Sequence, residues 1–503
     1  MTRLLAATLL LLAAVTSLPA QDAAVATITP ADVARRVFTL AHDSMAGRFT
    51  PSPELDRAAA YVASEFERFG LAPAGDGASF VQRYRLSQVV PDTAAAAVRL
   101  GDGAVIGRGA DVIHWGGRHT SSPVSGPAIL VTGLVPPAES LPVAGAVVIA
   151  AVPTDGTGQP DARARGILRA VYAGGPAAVI IPVDSPDEVW REVVRARFRT
   201  ALAPAWTADV QGPRVQIRDR AIAGALRGLG VDLGAARQAV GAASVRRLGI
   251  TASVLSPGAE VEHLEAPNVA ALLRGADPGL RDEVVVITAH MDHVGVAGRG
   301  RCRPVGADSI CNGADDNASG TASILELAEA FAAATPRPRR SILFVAVSGE
   351  ERGLWGSDYF AAHPPVPIGQ MVAAFNLDMV GRNWTDTISA IGREHSDLGT
   401  TLARVEAAHP ELGMRAVDDL WPSERFYFRS DHYHFARRGV PILFFFNGTH
   451  ADYHRPSDHP EAIDAEKQAR LTQLIYYLAL EVTNAPQRPA WVPASYEAIV
   501  TER

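Results

Sequence analysis

Cysteine is nearly missing from this 503-residue chain, which holds only Cys302 and Cys311. A disulfide scaffold is thereby excluded as the basis of the fold, and a chain of this length needs none, because it buries a core of ample size. No large excess of either charge is present, the formal net charge being -7. That excludes the basic face a nucleic-acid partner requires and gives no sign of an anchor for anionic membranes. Past the first residues, no apolar run approaches the ~20 residues of a bilayer span. Internal repeats are absent, and so are low-complexity tracts beyond Ala-rich helices.

The one marked apolar run is N-terminal. Arg3 supplies a positive start, Leu4 to Val15 is rich in Leu and Ala, and Ser17-Leu18-Pro19-Ala20 places a small residue before Gln21. This pattern predicts a secretory signal peptide over residues 1–20. No Cys follows the run, so a lipid anchor is not expected. The expectation is a secreted or periplasmic protein that leaves the membrane once the signal is removed. An oxidising compartment favours a Cys302–Cys311 disulfide over free thiols.

The remainder is ordinary globular sequence, 48% apolar and 20% charged, long enough for two or three domains. Residues 30–73 carry helical periodicity, and Phe80 to Tyr84 is strand-like. From Ser122 to Leu248, short apolar runs alternate with Gly/Pro turns around one Arg/Ala-rich helix, Ala162 to Tyr172. This predicts a small β-rich domain at 122–248 inserted between catalytic segments at 21–121 and 249–485, with a tail at 486–503. After Pro267 the pattern is strand, loop, helix, strand. Glu283 to Thr288, Ser341 to Val347, Val372 to Leu377 and Pro441 to Phe446 are buried-strand runs, and Ser319 to Phe331 is helical. Such alternation predicts an α/β fold with a mixed, mainly parallel central sheet flanked by helices. Sites in these sheets form beyond the carboxyl ends of the strands.

The polar residues fall at those ends. One run leads into His290-Met291-Asp292, the next into Ser348-Gly349-Glu350-Glu351, and the third into Leu377-Asp378. The fourth leads to a loop with Asp452-Tyr453-His454, and Asp315-Asp316-Asn317 opens the helix. Carboxylates gathered at one sheet edge repel unless a cation sits among them. Imidazole and carboxylate ligands suit zinc, or manganese and cobalt. Two imidazoles with three carboxylates suit two ions, one carboxylate bridging. Of Glu350 and Glu351, one should ligate and the other should serve as general base. On an extended segment His290 and Asp292 face the same side, so Asp292 is placed to orient His290. His293 then points away and is expected to be structural.

The segments AHMDH, GADDNASG, SGEERGLWGS, NLDMVGR, RSDHYHF and DYHRPSD, in this order, resemble the motif set of peptidase family M28, which includes bacterial leucyl aminopeptidases and glutamate carboxypeptidases. The resemblance covers Asn268 to Asn484. It extends to Asp43-Ser44-Met45-Ala46-Gly47-Arg48 and Gly70-Leu71-Ala72-Pro73, and the inserted domain resembles a protease-associated domain. The resemblance implies two zinc ions. His290 and Asp378 would bind one, Glu351 and His454 the other, and Asp316 would bridge them through a loop with a cis Asp316–Asn317 bond. It implies Glu350 as general base, peptide substrates and cleavage at the N-terminus. Tyr427 or Tyr433 is a candidate helper for the oxyanion. Asp315 reads as loop structure, and Asp431 and His432 read as bracing groups. His450 and His459 read as solvated loop residues. Trp421, Phe426, Tyr427 and Phe428 read as the lining of a specificity pocket. A carboxypeptidase using Arg425, Arg429 and Arg437, a glutaminyl cyclase and a non-catalytic receptor are the rival readings on this scaffold. Composition leaves oligomeric state and side-chain preference open.

Overall fold

The computed structural model describes residues 23–137, 139–155, 160–197, 201–206 and 212–501. The expected signal segment lies outside the described residues. Two compact units are present, one built from the chain up to Tyr84 and from Ala266 onward, the other from Arg85–Glu265.

In the first unit the all-apolar runs become the central strands, because β-branched residues that bury both faces fit the interior of a sheet. In chain order the strands are β1 (Gly258–Leu273), β2 (Val284–His290), β3 (Ser341–Val347), β4 (Met371–Asp378), β5 (Thr387–Ile391), β6 (Arg415–Val417) and β7 (Ile442–Phe446), lying side by side as β6-β5-β7-β4-β2-β3-β1. β2 runs parallel to β3 and to β4, and β4 runs parallel to β7. β1 and β5 pair antiparallel with β3 and β7. The sheet is therefore mixed with a parallel centre, and β2, β3 and β4 end at His290, Val347 and Asp378 on the same edge.

Helices cover both faces. The helix Pro30–Leu40 starts where Thr29 accepts the Asp32 N–H at 3.1 Å, and Pro53–Arg68 starts where Ser52 accepts the Leu55 N–H at 3.1 Å. Each has proline in its first turn, where the missing N–H costs nothing. The predicted 30–73 helical region is thus two helices, interrupted around the cis Thr50–Pro51 bond. The helix Gly320–Ala333 is buried along almost its whole length, as an all-round apolar helix must be. Its Phe331 stacks on Tyr476 of the helix Ala465–Asn484 at 4.3 Å and meets Phe344 of β3 at 6.4 Å. On the opposite face Phe360 and Phe435, 6.2 Å apart, pack with Val286, Val345 and Phe444.

The second unit is larger and more helical than the expected 122–248 segment. The chain enters it within the strand Val81–Pro91 and leaves it within β1. Its eight-stranded sheet includes Ala97–Leu100, Val105–Arg108 and Val112–Gly116, all ahead of residue 122. Two of these short strands find partners far along the chain, Ala97–Leu100 pairing with Ser244–Leu255 and Val112–Gly116 with Arg214–Arg218. Val124–Thr132, Val147–Ala150, Ala178–Val183 and Arg214–Arg218 run parallel. Alternate residues of these strands supply two cores, one packed against Ile222 and Leu226 and the other against Ile167, Val171 and Trp190.

Cys302 and Cys311 form a disulfide, with Cα atoms 5.6 Å apart. Among the described residues no helix is long and apolar enough to cross a membrane.

Candidate metal centre

Asp316 is the hub of the site. Its Oδ1 lies 3.4 Å from His290 Nε2, and its Oδ2 lies 3.0 Å from His454 Nε2. On the first side, His290 Nε2 is also 3.2 Å from Asp378 Oδ1. On the second, His454 Nε2 is 3.0 Å from Glu351 Oε1. The structure brings all five expected ligands together in two adjoining sets that share Asp316.

Each ligand is held by the fold. Thr321 donates to the His290 carbonyl at 2.8 Å, and Ser430 donates to Asp378 Oδ2 at 2.9 Å. The Asp316–Asn317 bond is cis. The Asn317 amide donates to the Leu377 carbonyl at 2.9 Å and accepts the Met379 N–H at 3.2 Å, tying this loop to the end of β4. Met379 and His454 adopt left-handed φ of 52° and 59°. Side-chain-bearing residues pay for that conformation and hold it chiefly where function fixes the chain.

Asp292 sits behind His290, whose Nδ1 is 3.1 Å from the Asp292 carbonyl and 3.7 Å from its Oδ1. The Asp292 carboxylate accepts from Thr50 at 2.8 Å and from the Glu350 N–H at 3.3 Å, so it also positions the glutamate pair. Arg48 is fully buried and donates to the carbonyls of Leu40, Met291, Asn312 and Gly313, clamping the two ligand loops to the N-terminal segment.

The donor set fits a metal. Glu351 Oε1 and His454 Nε2 are buried polar atoms with no hydrogen-bond partner, a costly state unless something else occupies their lone pairs. In the metal-free protein burial alone would depress His454, yet the Asp316 and Glu351 carboxylates 3.0 Å away raise it to about 10. Burial would lift Asp378, but His290 and Ser430 hold it below the usual carboxylate range. Glu350 is only partly exposed. Desolvation lifts its carboxyl well above the ordinary value against the opposing charge of His290, and Glu351 and Asp378 lift it further.

Several sequence expectations are corrected. His293 does not point away. It is fully buried, with Nδ1 3.1 Å from Glu351 Oε1 and 3.6 Å from Asp316 Oδ2, and it joins the second set. The strand ends at His290, so the two-residue alternation that placed His293 on the far side stops applying. His450 is not solvated but buried against Asp315, 3.2 Å away. Asp315 also accepts the Gly381 N–H at 2.7 Å. His432, expected to brace, has its Nε2 2.8 Å from the Tyr427 carbonyl. His459 is half-buried, with Nε2 3.6 Å from Asp308 Oδ2.

A cleft of about 380 Å³ opens over the centre, lined by Glu350, Asp378, Tyr453 and the aromatic wall Trp421, Phe426, Phe444 and Phe446. Of the expected aromatic lining, Trp421 and Phe426 take part. Tyr427 is drawn into the core, while Phe428 is exposed and packs edge-on to Tyr433. Tyr453, not Tyr427 or Tyr433, is the tyrosine at the cleft, and its ring stacks on His454 at 3.8 Å. It was visible in the sequence only as the neighbour of a ligand.

An α/β sheet with imidazole and carboxylate donors gathered beyond its strand ends forms a candidate metal centre. Residues 268–479 match the family model of peptidase family M28. The chain is 29% identical over 263 residues to a probable zinc metalloprotease of Leptosphaeria maculans, covering 44% of this chain and 58% of the relative. It is 28% identical over 236 residues to a probable leucine aminopeptidase of Trichophyton verrucosum, covering 45% and 62%. The chain spans about half the length of the curated relatives it matches. An aminopeptidase from Aneurinibacillus sp. strain AM-1 shares the fold, with a TM-score of 0.50 and 19% identity over 94% of this chain and 98% of that one.

Proposed function

We propose that this chain is an exported metallo-aminopeptidase that holds two zinc ions and removes N-terminal residues with apolar side chains from peptides. The observation that carries the proposal is Asp316, whose two carboxylate oxygens face two separate ligand sets. His290 and Asp378 complete one, Glu351 and His454 the other. Names of the curated relatives, zinc metalloprotease and leucine aminopeptidase, support the reaction and the metal.

When bound, the ions supply Lewis acidity and a water acidified towards neutrality. Glu350 lies at the cleft beside both sets, and its raised pKa suits a group that takes a proton and returns it. It accepts the proton of the attacking water and delivers it to the departing amine. Asp292 holds His290 and the Glu350 backbone in place through the contacts given above. The wall of Trp421, Phe426, Phe444 and Phe446 excludes water and receives the side chain of the residue released. Of the arginines named for a carboxypeptidase, only Arg429 reaches the cleft, and it is paired with Glu424 at 3.2 Å. Arg437 is turned to Asp358. That leaves the acidic cleft better matched to the ammonium of a peptide N-terminus. We read Arg85–Glu265 as the protease-associated-like insert.

A panel of aminoacyl-anilides and of peptides blocked at either end, assayed with and without chelator, tests this reading. Chelator-sensitive release of N-terminal apolar residues is expected. Release confined to C-terminal residues, or pyroglutamate formation without hydrolysis, would overturn it.

A further inference from the structure

His293 is the buried imidazole that the five-ligand arrangement leaves without a task. Neither of its ring nitrogens has a hydrogen-bond partner, although the side chain is fully buried. A buried polar group in that state costs about 1–3 kcal/mol, so a purely structural histidine would be expected to find a carbonyl, as His432 does. His293 turns Nδ1 towards Glu351 Oε1 and Asp316 Oδ2, and its ring meets His454 edge-on at 5.5 Å.

The spacing decides what such a group could hold. A tetrahedral zinc with bonds of about 2.0–2.2 Å has ligand–ligand edges of about 3.3–3.6 Å. Four of the six edges among His293, Asp316, Glu351 and His454 are 3.0, 3.0, 3.1 and 3.6 Å, one within that range and three about 0.2–0.3 Å tighter. The backbone is shaped to admit the ring. Gly313 has φ 60°, and a Cβ there would lie 2.4 Å from His293 Cγ and 2.2 Å from the Asp316 carbonyl. The His293 N–H is fixed on the Arg48 carbonyl at 3.3 Å.

We propose that His293 is a sixth metal ligand, binding through Nδ1, and that the two ions are unequal. The second set then offers four protein ligands and the set of His290, Asp316 and Asp378 offers three. The richer set holds its ion more tightly, and the other exchanges. This rests on the two-ion reading given above.

The test is metal binding by the purified full-length protein, stripped with chelator and titrated with zinc against a chromogenic chelator, then with cobalt while its visible spectrum is followed. Wild type is expected to take up two ions with affinities at least tenfold apart. His293→Ala, and His293→Leu as a volume-preserving control on packing, are expected to weaken the tighter step by about 100-fold or more and to lower the tetrahedral cobalt absorption. Both steps unchanged in either folded variant would overturn this proposal alone. Wild type taking up fewer than two ions would overturn the two-ion reading, and this proposal with it.

Discussion

The carboxylate of Asp458 accepts the peptide N–H of Asp316 at 3.2 Å, and it accepts the N–H of Asp315 at 3.1 Å as well. A residue four positions past His454 thus fixes the loop that presents the shared ligand. Partners of this kind commonly set metal affinity by 10- to 100-fold. Asp458→Asn removes the negative charge and turns an amide donor towards the Asp315 N–H, and is expected to weaken metal binding by about that factor. Competition with a chelator of known affinity measures it.

Glu350→Gln keeps the shape of the base and removes its proton chemistry. General acid–base groups contribute about 10²–10⁴-fold. A fall in kcat of that size, with metal content unchanged by elemental analysis, is expected. A fall accompanied by loss of metal would instead assign Glu350 to the ligand set.

In the metal-free protein His454 is raised to about 10 from an ordinary 6.5. At neutral pH it is therefore an imidazolium, and metal uptake has to expel its proton. Affinity is expected to rise with pH through this range, with protons released near pH 7. Calorimetric titration in buffers of different ionisation enthalpy detects the release. The sign for stability is the reverse. A folded value above the unfolded one gives stabilisation that is complete below about 6.5 and lost as pH rises through 10. The melting temperature of the stripped protein should fall across that interval.

Phe426 packs against Phe446 with ring centroids 4.8 Å apart on the cleft wall. Phe426→Ala is expected to cut kcat/KM on leucyl substrates by about tenfold or more while changing lysyl substrates less, in line with about 1–3 kcal/mol for a methylene-sized contact. Equal effects on both would place the specificity surface elsewhere.

The central strands were legible because burial on both faces leaves uninterrupted apolar runs, and their ends were legible because each run stops at a His or a carboxylate. β3 spans Ser341–Val347 as its residues imply. His293 was misread because strand alternation was carried past His290, where the chain already turns. His450 was misread because its partner, Asp315, is distant in sequence. The strands Ala97–Leu100 and Val105–Arg108 were passed over for a related reason. Four residues carry little periodic signal, and Ala97–Leu100 takes its strand identity largely from Ser244–Leu255. Local pattern reveals what a segment buries, but a side chain's partner is set by topology.

The Arg48 clamp bears on where this protein's minimal working piece ends. Its donors reach carbonyls on both sides of the ligand-bearing turns, yet the residue lies more than two hundred positions upstream of the matched family segment that begins at 268. A recombinant fragment trimmed to that segment would carry every proposed metal donor and lack the brace that sets their spacing. In a nascent chain, Arg48 emerges long before the turns it will hold, so the centre can close only after both ends have been synthesised.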